Sequence, residues 1–247
     1  MLGWGVRAMF GDRVEAGVAL GRRLAQLKEL DPIVLGLPRG GLPVAAEVAR
    51  ALDAPLDVIL VRKLGVPGQP EFAMGAIGEG GVRHIDWNVV ASAGVSGSQV
   101  TEAVGRETKE LRRRAARLRA GCPPLEISGR AVIIVDDGIA TGSTVTAAVM
   151  VARDLGADYV IIAIPVAPRE AIPQLERIAD EVVVLETPHP FHAVGEGYRE
   201  FGQIDDGEVV AILRRARSGV MARQCSRGID PASTIKRGVN GGSSPPL

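Results

Sequence analysis

The chain is predicted to be an α/β protein: a doubly wound, mainly parallel sheet flanked by helices. Three observations predict this. Short, nearly continuous apolar runs rich in β-branched residues recur at 33–37, 56–61, 132–135, 159–164 and 182–185, the pattern of strands covered on both faces. Between them lie stretches with apolar residues three and four apart, the mark of amphipathic helices. Gly- and Pro-rich turns fall where the runs stop and the helices begin, so strand and helix alternate and the sheet is parallel.

The composition agrees. Apolar residues make up 46% of 247, enough for a core, while aromatics are only 3%. Lys plus Arg equals Asp plus Glu at 29 each, so no global field invites nucleic acid. Cys122 and Cys225 lack metal or redox spacing and suggest a reducing compartment. No run approaches the ~20 apolar residues of a membrane span. Arg7, Asp12 and Arg13 interrupt any signal-peptide pattern. A soluble cytoplasmic protein with no membrane partner is expected.

Taken in order, a helix is expected over 13–30, with Val14, Val18, Leu20, Leu24 and Leu27 inward and Asp31-Pro32 as its stop. The first strand, 33–37, runs into Pro38-Arg39-Gly40-Gly41. A helix follows with Val44, Val48 and Leu52 on its core face. The Gly-Gly turn allows close backbone approach to a ligand, and Arg39 adds a planar, permanently charged donor fork. A second strand, 56–61, ends at Arg62-Lys63, two cations at a neighbouring strand end or simply a solvated terminus. Residues 65–81 hold six glycines with Pro67 and Pro70. They read as a mobile loop followed by a short strand and a turn, with 82–85 pairing back. The longest helical pattern is 98–119. Its apolar stripe is Val100, Val104, Leu111, Ala115 and Leu118, and its crowd of Arg and Lys reads as a solvated face, a subunit contact or a phosphate-facing patch.

The stretch richest in chemistry is 132–144. The strand Val132-Ile133-Ile134-Val135 is followed by Asp136-Asp137, then Gly138-Ile139-Ala140, then Thr141-Gly142-Ser143-Thr144, then a helical pattern from Val145. At the carboxyl end of a parallel strand, a helix N-terminus offers free N–H groups to a phosphate. Carboxylates would repel that phosphate, so they face hydroxyls instead. A P-loop Lys and a G-x-G-x-x-G are both missing here.

Beyond it come the strand 159–164, a short helix at 168–179 and the strand 182–185. The loop 187–198 carries Phe191 and Tyr198, which could stack on a planar base or merely anchor the loop. His189 and His192 have no ligand partners at metal spacing. A last helix is expected over 208–217 and a disordered tail over 218–247, leaving one domain over 1–217 with an excursion near 65–125.

Strand, Asp-Asp, three residues and Thr-Gly-x-Thr resemble the phosphoribosyl pyrophosphate (PRPP) site of type I phosphoribosyltransferases. The resemblance extends over about 10–217 and is closest to predicted bacterial members whose acceptor it does not fix. It implies a flexible lid and small hood on the parallel sheet. It also implies that Asp136 and Asp137 hold the ribose diol, while Gly138, Ala140, Thr141, Gly142, Ser143 and Thr144 cradle the 5′-phosphate. Arg39, Gly40, Gly41, Arg62 and Lys63 would take the pyrophosphate, with Asp136, Asp137, Arg39 and Lys63 acting in catalysis. Members often carry a non-proline cis peptide in the pyrophosphate turn, and Pro38–Arg39 is the candidate. Mg²⁺ is implied, held mainly by PRPP, and a homodimer is possible. The hypoxanthine-guanine branch has an Asp before the Thr-Gly; here Ala140 stands there, as in the adenine and orotate branches. The implied reaction transfers the 5-phosphoribosyl group to a nitrogenous base; the alternative is a non-catalytic PRPP- or nucleotide-binding regulator on the same fold.

Overall fold

The computed structural model describes residues 9–119 and 122–226. Helix α1 (Arg13–Arg23) opens on Asp12, whose carboxylate accepts the Glu15 N–H at 2.8 Å. The helix expected to reach Leu30 stops here, and a 3-10 turn, Ala25–Leu30, follows. Its inward stripe is Ala16, Gly17, Leu20 and Gly21, whereas Val14 is 48% exposed. Close packing on α2 (Gly41–Leu52) causes the rotation. A Cβ on Gly17 would lie 2.8 Å from the Val44 carbonyl, and one on Gly21 would lie 2.7 Å from Ala51 Cβ.

Strand β1 (Ile33–Gly36) precedes α2, and β2 (Leu56–Val58) follows it. The strand expected over 56–61 therefore breaks after Val58. The chain leaves the sheet and begins a second, antiparallel one from β3 (Val61–Val66), β4 (Gln69–Gly78) and β5 (Arg83–Ile85), in that spatial order. Most of the expected loop 65–81 is thus hairpin. Its glycines serve sheet contacts: a Cβ on Gly75 would lie 2.3 Å from the His84 carbonyl, and one on Gly78 would lie 2.3 Å from Val151 Cγ1.

Helices α3 (Trp87–Ser92) and α4 (Gly97–Arg119) lead back to β6 (Ala131–Val135), α5 (Ser143–Asp154) and β7 (Tyr159–Val166). The helix expected at 168–179 is only a 3-10 turn and the single-turn α6 (Ile172–Leu175), before β8 (Glu181–Glu186). Helix α7 (Asp206–Ser226) runs beyond its expected end at 217, so the first residues of the expected tail are helical. Residues 227–247 lie outside the described residues.

The core sheet is parallel throughout, in the order β2-β1-β6-β7-β8. Val34, Ile133 and Val135 face one apolar layer with α1 and α2. Leu35, Val132 and Ile134 face the other with α5. Strand order reverses between β1 and β6, which makes their carboxyl ends the binding crevice of a doubly wound sheet. Among the described residues no helix is long and apolar enough to cross a membrane.

One expectation about α4 fails. Arg119, assigned to the solvated face, is 8% exposed and donates to both carboxylate oxygens of Asp57 at 2.7 and 2.8 Å. It also donates to Glu79 and to the Val58 carbonyl. Asp57 additionally accepts the Val58 and Leu125 N–H groups. This buried network ties β2 to α4 and to the segment entering β6.

Candidate functional site

Strand β6 delivers Asp136 and Asp137 to the crevice. Asp137 Oδ2 accepts Nε of Arg13 at 2.7 Å, both side chains being largely buried. Arg13 also donates to the Gly202 carbonyl at 2.8 Å, and its guanidinium lies 3.8 Å from the Phe201 ring centre. The Asp137 N–H donates to Asp136 Oδ1 at 2.9 Å. Burial, and next the Asp137 charge, push the Asp136 carboxyl well above the usual carboxylate range. A cationic or hydroxyl-bearing ligand would meet two adjacent acids, one of them already costly to ionise.

The loop after them is open. Ala140, Thr141, Ser143 and Thr144 are exposed, and Thr141 Oγ1 lies 3.2 Å from Ser143 Oγ. Gly142, at φ +74, starts α5 with no side-chain cap, so the first N–H groups of a 12-residue helix remain for an anion. Gly138 must lack a side chain: its Cβ would lie 2.2 Å from Val194 Cγ1, where the loop after β8 packs against it.

On the other side stands the β1 turn. Its Pro38–Arg39 peptide is cis, at the bond singled out from the sequence. The Leu37 N–H donates to the Val135 carbonyl at 2.8 Å, which locks the turn to the end of β6. A Cβ on Gly41 would lie 2.7 Å from that same carbonyl, and one on Gly40 would lie 2.0 Å from Asp137 Oδ2. The glycines of the turn and the acidic pair are therefore in contact. Arg39 extends toward α7, with Nη1 4.0 Å from Asp206 Oδ1; Asp206 also pairs with Arg117 of α4.

Arg62 and Lys63 do not end a core strand. They sit inside β3, where successive side chains leave opposite faces, so the two cations diverge. Arg62 turns to α4 and binds Glu107 through Nε and Nη2 at 3.0 and 2.8 Å.

Of the two candidate stacking residues, Tyr198 is corrected. It is 5% exposed, packed against Phe10 and Phe201, and its hydroxyl donates to the Asp137 carbonyl. Burial, then the Asp137 charge, raise its pKa. It is a post beneath the acidic pair. Phe191 is half-buried beside it. Among the described residues no group of three or more His, Cys, Asp or Glu is gathered for a metal.

Sequence reasoning missed Arg13 and Asp206 and did not single out Arg114 from a basic run that it read as a solvated face, a subunit contact or a phosphate-facing patch. A signal existed for two of them. Arg13 is in phase with the buried Ala16, Gly17, Leu20 and Leu24, and Arg114 lies three after Leu111 and four before Leu118. Asp206 carried none.

Fold and site together define a phosphoribosyltransferase-type crevice. Residues 13–200 match the family profile described as "Phosphoribosyl transferase domain", and the chain belongs to that family. A Mycobacterium tuberculosis protein named "Putative phosphoribosyl transferase" is 52% identical over 208 residues, covering 84% of this chain and 47% of that protein. The chain thus spans about half the length of the curated relatives it matches. Among solved structures, TT1426 from Thermus thermophilus is 46% identical, with a TM-score of 0.78 over 83% of this chain and 98% of that one. A ribose-phosphate pyrophosphokinase of Thermoplasma acidophilum is 28% identical over 137 residues, 52% of this chain and 45% of its own.

Proposed function

We propose that the protein transfers the 5-phosphoribosyl group of PRPP to a nitrogen of a planar base and releases pyrophosphate, with Mg²⁺ as the accompanying cation. The observation that carries this proposal is the contact across the β1/β6 crevice. The turn bearing Arg39 touches the carboxylate of Asp137 through Gly40, and the uncapped start of α5 lies just beyond the acids. PRPP presents its groups in the matching order: 5′-phosphate, ribose diol, pyrophosphate.

In this scheme the 5′-phosphate lies on Thr141, Gly142, Ser143 and Thr144, and the diol donates to Asp136 and Asp137. The C1–O bond breaks with its electron pair going to pyrophosphate, and the base nitrogen forms the new bond to C1 while its proton passes to the departing pyrophosphate or to water. Positive charge builds on the sugar in between, so catalysis is chiefly positioning and electrostatic stabilisation. The acids favour that charge from below, while Arg39 favours the leaving anion; of the diverging Arg62 and Lys63, one at most can join it. Arg13 fixes the orientation of Asp137. Phe191 is the aromatic left for the base.

The donor set fits Mg²⁺: two adjacent carboxylates, one pushed up beside the other, gain from a hard cation. Held chiefly on PRPP oxygens and water, the ion would neutralise charge on the leaving group.

The test is incubation with PRPP, Mg²⁺ and a panel of purine, pyrimidine and smaller nitrogenous bases, following pyrophosphate release. Base-dependent release is expected. PRPP binding without release from any base would favour a regulator on this fold, and absence of PRPP binding would overturn the assignment of the crevice.

A further inference from the structure

Seven arginines of the described chain are buried or half-buried. Six of them, Arg13, Arg62, Arg119, Arg130, Arg153 and Arg217, are each paired with a carboxylate. Arg114 has no such partner among the described residues. Its Nη2 donates to the carbonyl of Pro38 at 3.1 Å. That carbonyl belongs to the cis turn that presents Arg39.

The surroundings make this arrangement costly as it stands. A guanidinium carries five N–H donors, and one bond to a neutral carbonyl leaves most of them to solvent or to a ligand. Arg62 and Arg39 are the cations that weigh most on it, after burial itself, and together they lower its pKa; Arg117 adds to them, and only Glu110 opposes. Arg62 has Glu107, and Arg39 and Arg117 share Asp206. A half-buried cation among cations, aimed at a backbone turn, lacks an anion.

We infer that Arg114 is a further pyrophosphate-binding residue, reaching the leaving group from α4 across the Pro38–Arg39 turn. The inference rests on the proposal that this crevice takes PRPP. Arg114 gives the turn a second guanidinium besides Arg39, and pyrophosphate oxygens suit its fork in a two-bond contact. The bond to Pro38 holds the side chain in place before ligand arrives, so little rotamer freedom remains to be lost on binding. This also gives the basic run of α4 a division of labour: Arg119 is structural, Arg113 pairs with Glu110 on the surface, and Arg114 faces the ligand.

The experiment compares wild type, Arg114→Gln and Arg114→Lys by calorimetric titration with PRPP, pyrophosphate and ribose 5-phosphate, each with Mg²⁺. Arg114→Gln should weaken PRPP and pyrophosphate about tenfold or more. Ribose 5-phosphate, which lacks the pyrophosphate, should change by less than about twofold. Arg114→Lys should recover part of the loss, since charge returns without the fork. Equal weakening of all three ligands would mean that Arg114 only shapes the turn, and the inference would fall. Undiminished pyrophosphate binding in Arg114→Gln would also overturn it. Wild-type protein that binds neither PRPP nor pyrophosphate would overturn the proposal for the crevice itself, which separates the two failures.

Discussion

Arg13 Nε and Asp137 Oδ2 meet at 2.7 Å across 124 positions of chain, at the floor of the crevice. The contact joins the first turn of α1 to the end of β6, so the helix that opens the domain also sets the rotamer of an acid in the site. Asp137 is thereby held ready, with its second oxygen available to a ligand.

Arg13→Gln should therefore cost both stability and ligand binding. Removing one partner of a largely buried ion pair leaves the other charge uncompensated, at about 3–5 kcal/mol. Urea denaturation should show the loss, and calorimetry should show weaker PRPP binding. A variant that lost stability yet bound PRPP like wild type would mean that Arg13 serves only the fold.

Stability should fall with rising pH on account of Asp136. Its carboxyl is pushed up by burial and by Asp137, so the folded chain retains a proton that the unfolded chain releases near pH ~3.9. The folded state then binds more protons, and stability declines from that pH up to the raised folded value. Below the unfolded value both states are protonated and the effect vanishes. Asp136→Asn cannot titrate, so its stability relative to wild type should grow as pH rises above about pH 4. A difference that stayed flat over that range would refute the assignment.

On the proposed reaction, Asp137→Asn and Arg39→Ala should each reduce turnover by about 10²-fold or more, because each removes a charge placed to act at the transition state. Circular dichroism should show Arg39→Ala folded like wild type, Arg39 being half-exposed at the side chain, and Asp137→Asn folded but less stable, since it leaves Arg13 without its buried partner. Turnover surviving both changes with a true acceptor would place the chemistry elsewhere.

Asp57→Ala should be the most damaging of the structural changes. It takes from Arg119 its more buried carboxylate, leaving Glu79, removes the acceptor of the Val58 and Leu125 N–H groups and releases Arg217 at 3.5 Å. A loss of about 3–5 kcal/mol is expected in denaturant melts. A loss under about 1 kcal/mol would show that water satisfies Arg119 in its place.

Where a local pattern sufficed, the sequence was legible. The β-branched runs located all five core strands, and the Asp136-Asp137 to Thr144 stretch stands at a strand end before a helix, as its order of residues demands. Glycine was harder to interpret. The run from Gly65 to Gly81 looks like a hinge, yet Gly75 and Gly78 are small because His84 and Val151 approach them, and no local pattern encodes that approach. Tyr198 looked available for stacking because a loop carries it; contacts with Phe10, Phe201 and the Asp137 carbonyl, distant in sequence except for Phe201, bury it. Arg62 and Lys63 diverge because the chain quits one sheet for another after Val58. Pairing across the fold, rather than propensity, decided each of these.

Helix α4 carries Glu107 against Arg62 of the small sheet, Arg114 against the β1 turn, Arg117 against Asp206 of α7, and Arg119 against the buried acids of β2 and the β4 terminus. These four side chains lie within four turns of one rod. Tilting that rod cannot loosen one grip without pulling on the other three. A change at any of its four couplings should therefore be felt at the other three.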